Sequence, residues 1–389
     1  MTKRSKGEGS VRKRPDGRWE GRYTLGRDPK TGKQVRKSVY GKSKGEVRKQ
    51  LTAINAQIDA GHFFEASKDS LSVWLEYWIW NVKKPKIKPK TFDGYLESIN
   101  THILGTPLSL VPLGGIRRHH LQTWVDEKTG DGASAYIVRY AYGIIRNSMN
   151  DAVRRGLLEF NFADKISLPP VDQNETTILT ADEQKIFIDA IKDHRLFAAF
   201  YVALTTGIRE GELAALTWAD FDDNSETLTI TKDAIRVNEY DTEAREKTGT
   251  KVIVQETPKS RAGRREIPLL PQTATALRKH RIRQYDEKMK NRKLYEDSDL
   301  IFCNEIGGLY DPKTFYTWLR KICKATPGLE PIKFHALRHT FATRGLENEM
   351  SGKAMQELLG HETEAMTLHY QQLLDKQARI EIDKLKDAF

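Results

Sequence analysis

Short runs of alternating apolar and polar residues near the start of the chain predict a small antiparallel sheet. Proline, glycine and aspartate fill the gaps between the runs, as they do in hairpin turns. Within the second run, Trp19 and Tyr23 share one face of the strand, and Arg18 and Arg22 share the other. The predicted strands cover residues 11–14, 18–25 and 34–40.

An amphipathic helix is predicted after this sheet, over residues 44–59. Ser43 is placed to cap its N-terminus, and Val47, Leu51 and Ile54 lie on one apolar stripe. The stripe would cover the apolar face of the sheet and leave the face rich in arginine and lysine open. A small sheet of this kind can enter the major groove of duplex DNA.

The helical period dominates from residue 71 to about residue 168 and predicts an all-α helical bundle. A basic, proline-interrupted stretch at 83–90 adds positive charge to its rim, and Thr91 is a candidate cap for the helix that follows. Tyr136 and Tyr140 count among the apolar positions of the last helix. The predicted helices cover residues 71–82, 91–103, 118–128 and 134–155.

The part of the chain from residue 178 onward is predicted to be mainly α-helical with a small β-sheet. Thr180 and Glu183 occupy the two positions of a capping box at its first helix. Short strands are predicted at 227–231, 252–257 and 265–269, with a turn at 258–263 between the last two. The polar stretches between the parts divide the chain into residues 1–62, 70–170 and 178–389.

Composition supports a multidomain protein without a membrane span. The 389 residues are too many for one ordinary core. No apolar run approaches the roughly 18 residues of a membrane helix. Cys303 and Cys323 are too few for a disulfide framework or a four-cysteine zinc site. We therefore expect a protein of a reducing cytoplasm.

The net charge of +11 is confined to the N-terminal part of the chain. Residues 1–60 hold 17 Lys and Arg against 6 Asp and Glu, whereas the remaining 329 residues hold 47 of each sign. A basic module on a neutral body is typical of an arm that binds a polyanion. The alternative is a solvated charged face without a partner.

Five residues toward the C-terminus would together suffice to hold and attack a phosphodiester. Arginine forks match the non-bridging oxygens of a phosphate, and histidines donate, accept or move protons near neutral pH. A tyrosine hydroxyl can be the nucleophile that keeps the phosphate as a covalent intermediate. Taken singly, each residue also has an ordinary structural interpretation. The five are Arg209, His335, Arg338, His361 and Tyr370.

Two further residues bear on this set. Glu212 lies three residues after Arg209, where on a helix it can hold the guanidinium in place. His339 lies four residues after His335, which is the spacing of some zinc pairs. Because Arg338 shares that helix face and no acidic base is present, a metal is disfavoured. We expect neither a metal nor another cofactor.

Three segments of the chain, taken in order, resemble the signature boxes of the tyrosine recombinase (phage integrase) family. They read TTGIREGELAALTW, HALRHTFAT and LLGHETEAMTLHY. The basic sheet resembles the arm-site domain of integrases from temperate phages and conjugative transposons, and the helical middle resembles their core-site domain. Residues 178–389 resemble their catalytic domain. The resemblance implies a tyrosine recombinase fold.

The resemblance also implies a role for each candidate. Arg209, Arg338 and His361 would neutralise and orient the scissile phosphate. Tyr370 would attack phosphorus, and His335 would accept its proton.

The family in addition carries a lysine in a β-turn that protonates the departing 5′ oxygen. Lys259 is the better match, because it precedes the strand that ends in Ile-Pro-Leu. Lys251 is the alternative.

The implied function is site-specific integration and excision of a mobile element through a 3′-phosphotyrosyl intermediate and a Holliday junction. The implied partners are double-stranded DNA with core-type and arm-type sites, a homotetramer, an excisionase and a host DNA-bending protein. The tail at 371–389 would pack on its own protomer or on a neighbour, in a bacterial cytoplasm near the nucleoid. The predicted DNA-binding residues are Arg12, Arg14, Arg18, Arg22, Arg36, Lys37, Lys84, Lys86 and Lys88.

Two alternative functions remain open from the residues. A type IB topoisomerase-like enzyme would share the chemistry but reseal its own strand. A DNA-binding regulator would keep the fold without catalysis.

Overall fold

The structure is a computed structural model that describes residues 10–27, 34–59, 68–171, 177–256 and 264–360. The described residues divide into two compact units. One unit draws on residues 1–87 and 94–171, and the other on residues 88–93 and 172–389. The finer division at 1–62, 70–170 and 178–389 stays a prediction. No helix of the described ranges is long and apolar enough to span a bilayer.

The N-terminal sheet and its helix form as the alternation predicts. Val47 and Leu51 of the helix are buried against the sheet together with Tyr23. A Cβ added to Gly21 would lie 2.5 Å from Val47 Cγ1, so the helix contacts the backbone of the middle strand directly. The antiparallel strands, in spatial order, are β1 (Ser10–Lys13), β2 (Trp19–Arg27) and β3 (Gln34–Gly41), followed by α1 (Lys44–Asp59).

Five α-helices follow, and buried tryptophans join the first of them to the last. Trp74 Nε1 donates to Ser148 O at 3.2 Å, and Trp78 Nε1 donates to Asp151 Oδ2 at 2.7 Å. The helices are α2 (Leu71–Tyr77), α3 (Pro89–Ser98), α4 (Pro107–Leu110), α5 (Arg118–Gly130) and α6 (Ala135–Arg154). A π-helical segment, Trp78–Lys83, extends α2, and a second one, Ile99–Ile103, extends α3.

Two predictions for these helices are wrong. Helix α3 begins at Pro89 rather than after a cap at Thr91, because the fixed φ of proline suits the first helical turn. Tyr136 and Tyr140 are 68% and 37% exposed and do not line the core. The buried stripe of α6 instead includes Val138 and Ile145, and both tyrosines fall beside it.

The second unit is mainly helical. Its helices are α7 (Ala181–Ile191), α8 (Phe197–Thr206), α9 (Glu210–Ala215), α10 (Pro271–Lys290), α11 (Lys313–Ala325), α12 (His335–Glu347) and α13 (Gly352–Leu359). Helix α8 runs through the core of this unit. This helix is apolar on nearly all sides and contacts α7, α9, α10 and α12. The predicted capping box of Thr180 and Glu183 forms at the start of α7.

Two small sheets accompany these helices, and the two strands predicted on either side of the turn at 258–263 do not pair with each other. Strand β7 (Lys247–Glu256) pairs with β6 (Lys232–Tyr240), whereas β8 (Arg265–Pro268) pairs with β5 (Thr227–Ile230). The short β4 (Phe221–Asp222) completes the sheet of order β4-β5-β8. The last two predicted strands therefore belong to different sheets.

Strand β6 was not predicted as a strand. Its buried positions are Ala234 and Val237, which are three residues apart. The period of two that identifies a half-buried strand is therefore missing from its sequence.

Candidate active site

Arg209 stands at the start of α9, and a glycine in the left-handed conformation leads the chain into it. Gly207 ends α8 with a φ of 64°. A Cβ at this position would lie 2.6 Å from Leu359 Cδ2 and 2.8 Å from Phe341 Cδ1. Glycine thus permits both the turn and the close packing. The side chain of Arg209 keeps 38% of its surface exposed.

Glu212 holds Arg209, as its spacing predicts. The backbone N–H of Arg209 donates to Glu212 Oε2 at 3.0 Å, and Nη1 donates to Oε1 at 2.9 Å. Glu212 itself is buried. A buried carboxylate requires compensating donors or cations, because burial disfavours its charged form.

The second cation on Glu212 is Arg265, a residue that the sequence analysis missed. Its Nη1 donates to Oε1 at 3.0 Å and its Nη2 donates to Oε2 at 2.7 Å. Burial tends to raise the pKa of Glu212, but the hydrogen bonds and charges of Arg265 and Arg209 lower it to about 2. The carboxylate is therefore ionised at neutral pH.

A signal for Arg265 was present in the sequence. Along β8, Arg265 and Ile267 are buried and Glu266 between them is exposed. Arginine in an inward position of an alternating strand indicates a buried anionic or carbonyl partner.

Arg338 is buried within α12 and donates hydrogen bonds to the C-terminal ends of two other helices. Its Nη1 donates to Gly207 O at 2.8 Å, and its Nη2 donates to Leu359 O at 2.6 Å. These carbonyls lie at the C-terminal ends of α8 and α13. Such carbonyls lack intrahelical donors and carry partial negative charge, so a cation stabilises them.

His335 is the first residue of α12, with an exposed side chain. Its ring centroid lies 4.5 Å from that of His339, with the rings perpendicular. Neighbouring atoms still desolvate the ring, which lowers the pKa of His335, and the charges of Arg338 and Arg209 lower it further. The neutral imidazole, the form that accepts a proton, is thereby favoured.

Three arginines converge on the C-terminal end of α13. Each donates to a different carbonyl of three consecutive residues, and the chain passes from the last of them directly into residue 361. The bonds are Arg265 Nε to Leu358 O at 2.7 Å, Arg338 Nη2 to Leu359 O at 2.6 Å, and Arg209 Nη2 to Gly360 O at 3.0 Å.

The structure therefore brings Arg209 and Arg338 together at the end of α13. His335 lies one helical turn before Arg338, where desolvation and the charges of both arginines lower its pKa. Lys259, His361 and Tyr370 lie outside the described residues, and their roles stay predictions. Within the described ranges, no group of three or more His, Cys, Asp or Glu side chains could hold a metal ion.

Lys251, the alternative to Lys259, lies within strand β7 rather than in a turn. Its Nζ pairs with Glu239 Oε1 at 2.9 Å on the surface.

The basic face of the N-terminal sheet has an acidic centre. Glu20 is 3% exposed. It accepts bonds from Arg12 Nε at 2.7 Å, Arg22 Nε at 3.1 Å and Ser38 Oγ at 2.8 Å. The hydrogen bonds from Ser38 and Arg12 lower the pKa of Glu20 to about 2. Two predicted DNA-binding arginines are thus fixed by one carboxylate.

The other predicted DNA-binding residues occupy varied settings. Arg14 and Arg18 pair with Asp16 at 3.6 Å and 3.0 Å. By strand register, Arg36 lies opposite Thr24 and Lys37 lies opposite Tyr23.

In the basic stretch before α3, Lys86 and Lys88 are exposed. The Nζ of Lys84 lies 4.3 Å from the ring centroid of Trp80, which is a cation–π distance.

Known structures share this fold. The Tn1549 transposon integrase in complex with a circular intermediate DNA superposes with a TM-score of 0.64 at 20% identity, over 82% of this chain and 99% of that one. The lambda integrase in a tetramer bound to a Holliday junction gives 0.54 at 21%, over 91% and 96%. The second unit therefore has the fold of a tyrosine recombinase catalytic domain, helical with small sheets.

The sequence is related along nearly its whole length to a tyrosine recombinase. The XerC-like tyrosine recombinase of Caldanaerobacter subterraneus subsp. tengcongensis is 29% identical over 376 residues, which cover 94% of this chain and 95% of that protein. The phage integrase family model matches residues 177–377, more than half of the chain. The chain belongs to the phage integrase family. It is a site-specific DNA recombinase of the tyrosine type.

Proposed function

We propose that this recombinase integrates and excises a mobile DNA element by metal-free strand exchange. The observation that carries the proposal is the convergence of Arg209 and Arg338 on the C-terminal end of α13, from which the chain continues toward His361 and Tyr370. His335 lies one helical turn before Arg338 on α12. Two guanidinium groups beside a neutral imidazole suit a phosphodiester whose charge grows in the transition state.

The reaction follows from the chemistry of these side chains. Arg209, Arg338 and His361 bind the non-bridging oxygens of the scissile phosphate. The Tyr370 hydroxyl attacks phosphorus, and because its ordinary pKa is about 10, it passes its proton to His335. Lys259 protonates the departing 5′ oxygen.

The first step yields a 3′-phosphotyrosyl bond and a free 5′ hydroxyl. A 5′ hydroxyl from a second duplex then attacks this bond and releases the tyrosine. The number of phosphodiester bonds is conserved, so the exchange needs no ATP. Two successive exchanges form and resolve a Holliday junction.

DNA binding is assigned to separate parts of the chain, with domains at 1–62, 70–170 and 178–389. The N-terminal sheet would bind arm-type sites through Arg12, Arg14, Arg18, Arg22, Arg36 and Lys37. The helical middle would bind core-type sites, with Lys84, Lys86 and Lys88 on its rim. The buried Glu20 beneath Arg12 and Arg22 supports a preformed basic face.

The assembly proposed is a homotetramer on two duplexes, in which the tail at 371–389 docks on a neighbour. The lambda integrase tetramer on a Holliday junction supports the tetrameric assembly. An excisionase and a host DNA-bending protein would set direction, at the bacterial nucleoid. Relatives named as a tyrosine recombinase and as the transposase from transposon Tn916 favour this function over the topoisomerase-like and regulator alternatives.

Covalent trapping tests the proposal directly. The unaltered chain is incubated with short nicked duplexes that carry a randomised centre, and protein–DNA adducts are isolated on denaturing gels and sequenced. We expect an adduct through a 3′ phosphate on an enriched sequence.

Tyr370→Phe is the matched control, because it removes one hydroxyl. This variant should bind the enriched duplex and form no adduct. An adduct that persists in Tyr370→Phe, or no adduct with the unaltered chain, would refute the assignment.

A further inference from the structure

Arg265 is a buried charged side chain at the site for which the mechanism has no use. Only 4% of its side chain is exposed, and its Nε, Nη1 and Nη2 all donate to protein acceptors. Burying an unpaired guanidinium is costly, and its position therefore requires a partner. All the bonds described for it go to Glu212 and Leu358.

The carboxylate of Glu212 is shared evenly between two arginines. Its Oε1 accepts from Nη1 of Arg209 and Nη1 of Arg265, and its Oε2 accepts from the backbone of Arg209 and Nη2 of Arg265. The planar fork of Arg265 thus fixes the plane of the carboxylate. That plane in turn sets the direction of the Arg209 side chain.

Charge gives the arrangement a second consequence. Glu212 with Arg209 alone is neutral, whereas the three residues together keep one positive charge. Arg265 therefore allows Arg209 to meet an anionic phosphate as a net cation. At the same time its Nε holds Leu358 O, two residues before the carbonyl that binds Arg209.

We propose that Arg265 is a positioning residue for DNA cleavage, which acts on the scissile phosphate through Glu212 and Arg209. This inference rests on the proposed function and adds a residue to it. Arg265 does not touch DNA; it orients Arg209 and preserves its charge.

The test measures single-turnover cleavage of the duplex enriched by the trapping experiment. Arg265→Gln should still bind that duplex but form the adduct about 100-fold more slowly, the scale of a loss caused by misplacing a reacting group. Arg265→Lys keeps the charge but loses the fork, so its rate should lie between those of Arg265→Gln and the unaltered chain.

Arg278→Gln is the matched control. Arg278 also binds two carboxylates, Asp223 at 2.7 Å and Glu226 at 2.8 Å, but on the exposed surface. It should cleave at the unaltered rate. This comparison separates the loss of an arginine–carboxylate pair from the loss of this particular one.

A second substrate separates positioning from a purely structural role. A methylphosphonate at the cleavage position carries no negative charge and depends less on charge neutralisation. The defect of Arg265→Gln should shrink markedly on this substrate. A structural defect would be the same on both substrates and would be accompanied by weaker DNA binding and earlier thermal unfolding.

The outcomes distinguish the two proposals. If the unaltered chain forms no adduct, the proposed function fails and this inference fails with it. If the unaltered chain cleaves and Arg265→Gln matches Arg278→Gln, only the inference is overturned. If Arg265→Gln does not fold, a folded Arg265→Lys that cleaves at the full rate overturns it.

Discussion

Two glutamates of α9, two positions apart along the chain, show how placement decides the chemistry of a side chain. Glu212 faces Arg265 and Arg209, and its pKa falls to about 2. Glu210 is partly buried, forms no ion pair with a cation in the described part of the chain, and accepts a bond from the Tyr316 N–H at 3.0 Å. Burial raises the pKa of Glu210 to about 7. The same residue type therefore responds to pH in opposite ways.

The pH dependence of stability should reveal this difference. The stabilisation from Glu212 is present above its ordinary pKa of 4.5 and is lost as pH falls toward 2. The contribution of Glu210 is present below 4.5 and is lost as pH rises through about 7. Chemical denaturation of the native chain, Glu212→Gln and Glu210→Gln across about pH 3 to pH 8 measures both windows.

Glu212→Gln should be less stable at neutral pH, by roughly 3 kcal/mol or more, because Arg265 loses its buried counter-ion. The difference in the free energy of unfolding between Glu212→Gln and the native chain should become smaller at low pH. The free energy of unfolding of Glu210→Gln should increase relative to that of the native chain as the pH rises from about 5 to about 8, because glutamine has no proton to lose. Parallel profiles for the three proteins would contradict both assignments.

At the scale of elements, the contact between α1 and the N-terminal sheet depends on a glycine of the middle strand. Gly21 lies in the middle strand, where an added Cβ would be 2.5 Å from Val47 Cγ1 and 2.7 Å from Leu51 Cδ1. Both side chains are buried, so neither can move away without disturbing the small core.

Gly21→Ala should therefore destabilise the N-terminal module by about 1–3 kcal/mol, the cost of overpacking a core. Gly45→Ala in the first turn of α1 is the control, because a Cβ there meets nothing within 4 Å. It should be neutral or stabilising, by up to about 1 kcal/mol. Hydrogen exchange of the β2 amides measures the change, and equal protection in the two variants would refute the packing argument.

At the scale of the whole molecule, the uneven charge determines how DNA affinity should depend on salt. All of the net +11 lies in residues 1–60. Counterions released by contacts between this module and phosphates would dominate the salt dependence of arm-site binding.

Arg12→Gln and Arg22→Gln should each lower the slope of log affinity against log salt by roughly 0.9, the value expected for one phosphate contact. Arg278→Gln, far along the chain in α10, should leave the slope unchanged. Titrations of one arm-type duplex at several salt concentrations give the slopes. If the three variants have the same slope as the native chain, the basic face does not contact phosphate.

Elements with a clear period were predictable. The stripe at Val47 and Leu51 gave the bounds of α1, and the capping residues Thr180 and Glu183 located α7. Strand β6 was not predicted, because Ala234 and Val237 do not alternate with a period of two. The pairing of β7 with β6 could not be predicted from the sequence either, because the final packing decides which strands form backbone hydrogen bonds with each other.

The sequence alone determined the family, the candidate site residues and the placement of charge, because motifs, spacing and residue counts are properties of the chain itself. Only the tertiary structure placed Arg265 on Glu212 and three arginines on the end of α13. These bonds join residues 53 to 151 positions apart, except that of Arg338, which spans 21. No local sequence pattern specifies contacts between residues so far apart along the chain. These contacts form because buried charged groups require partners.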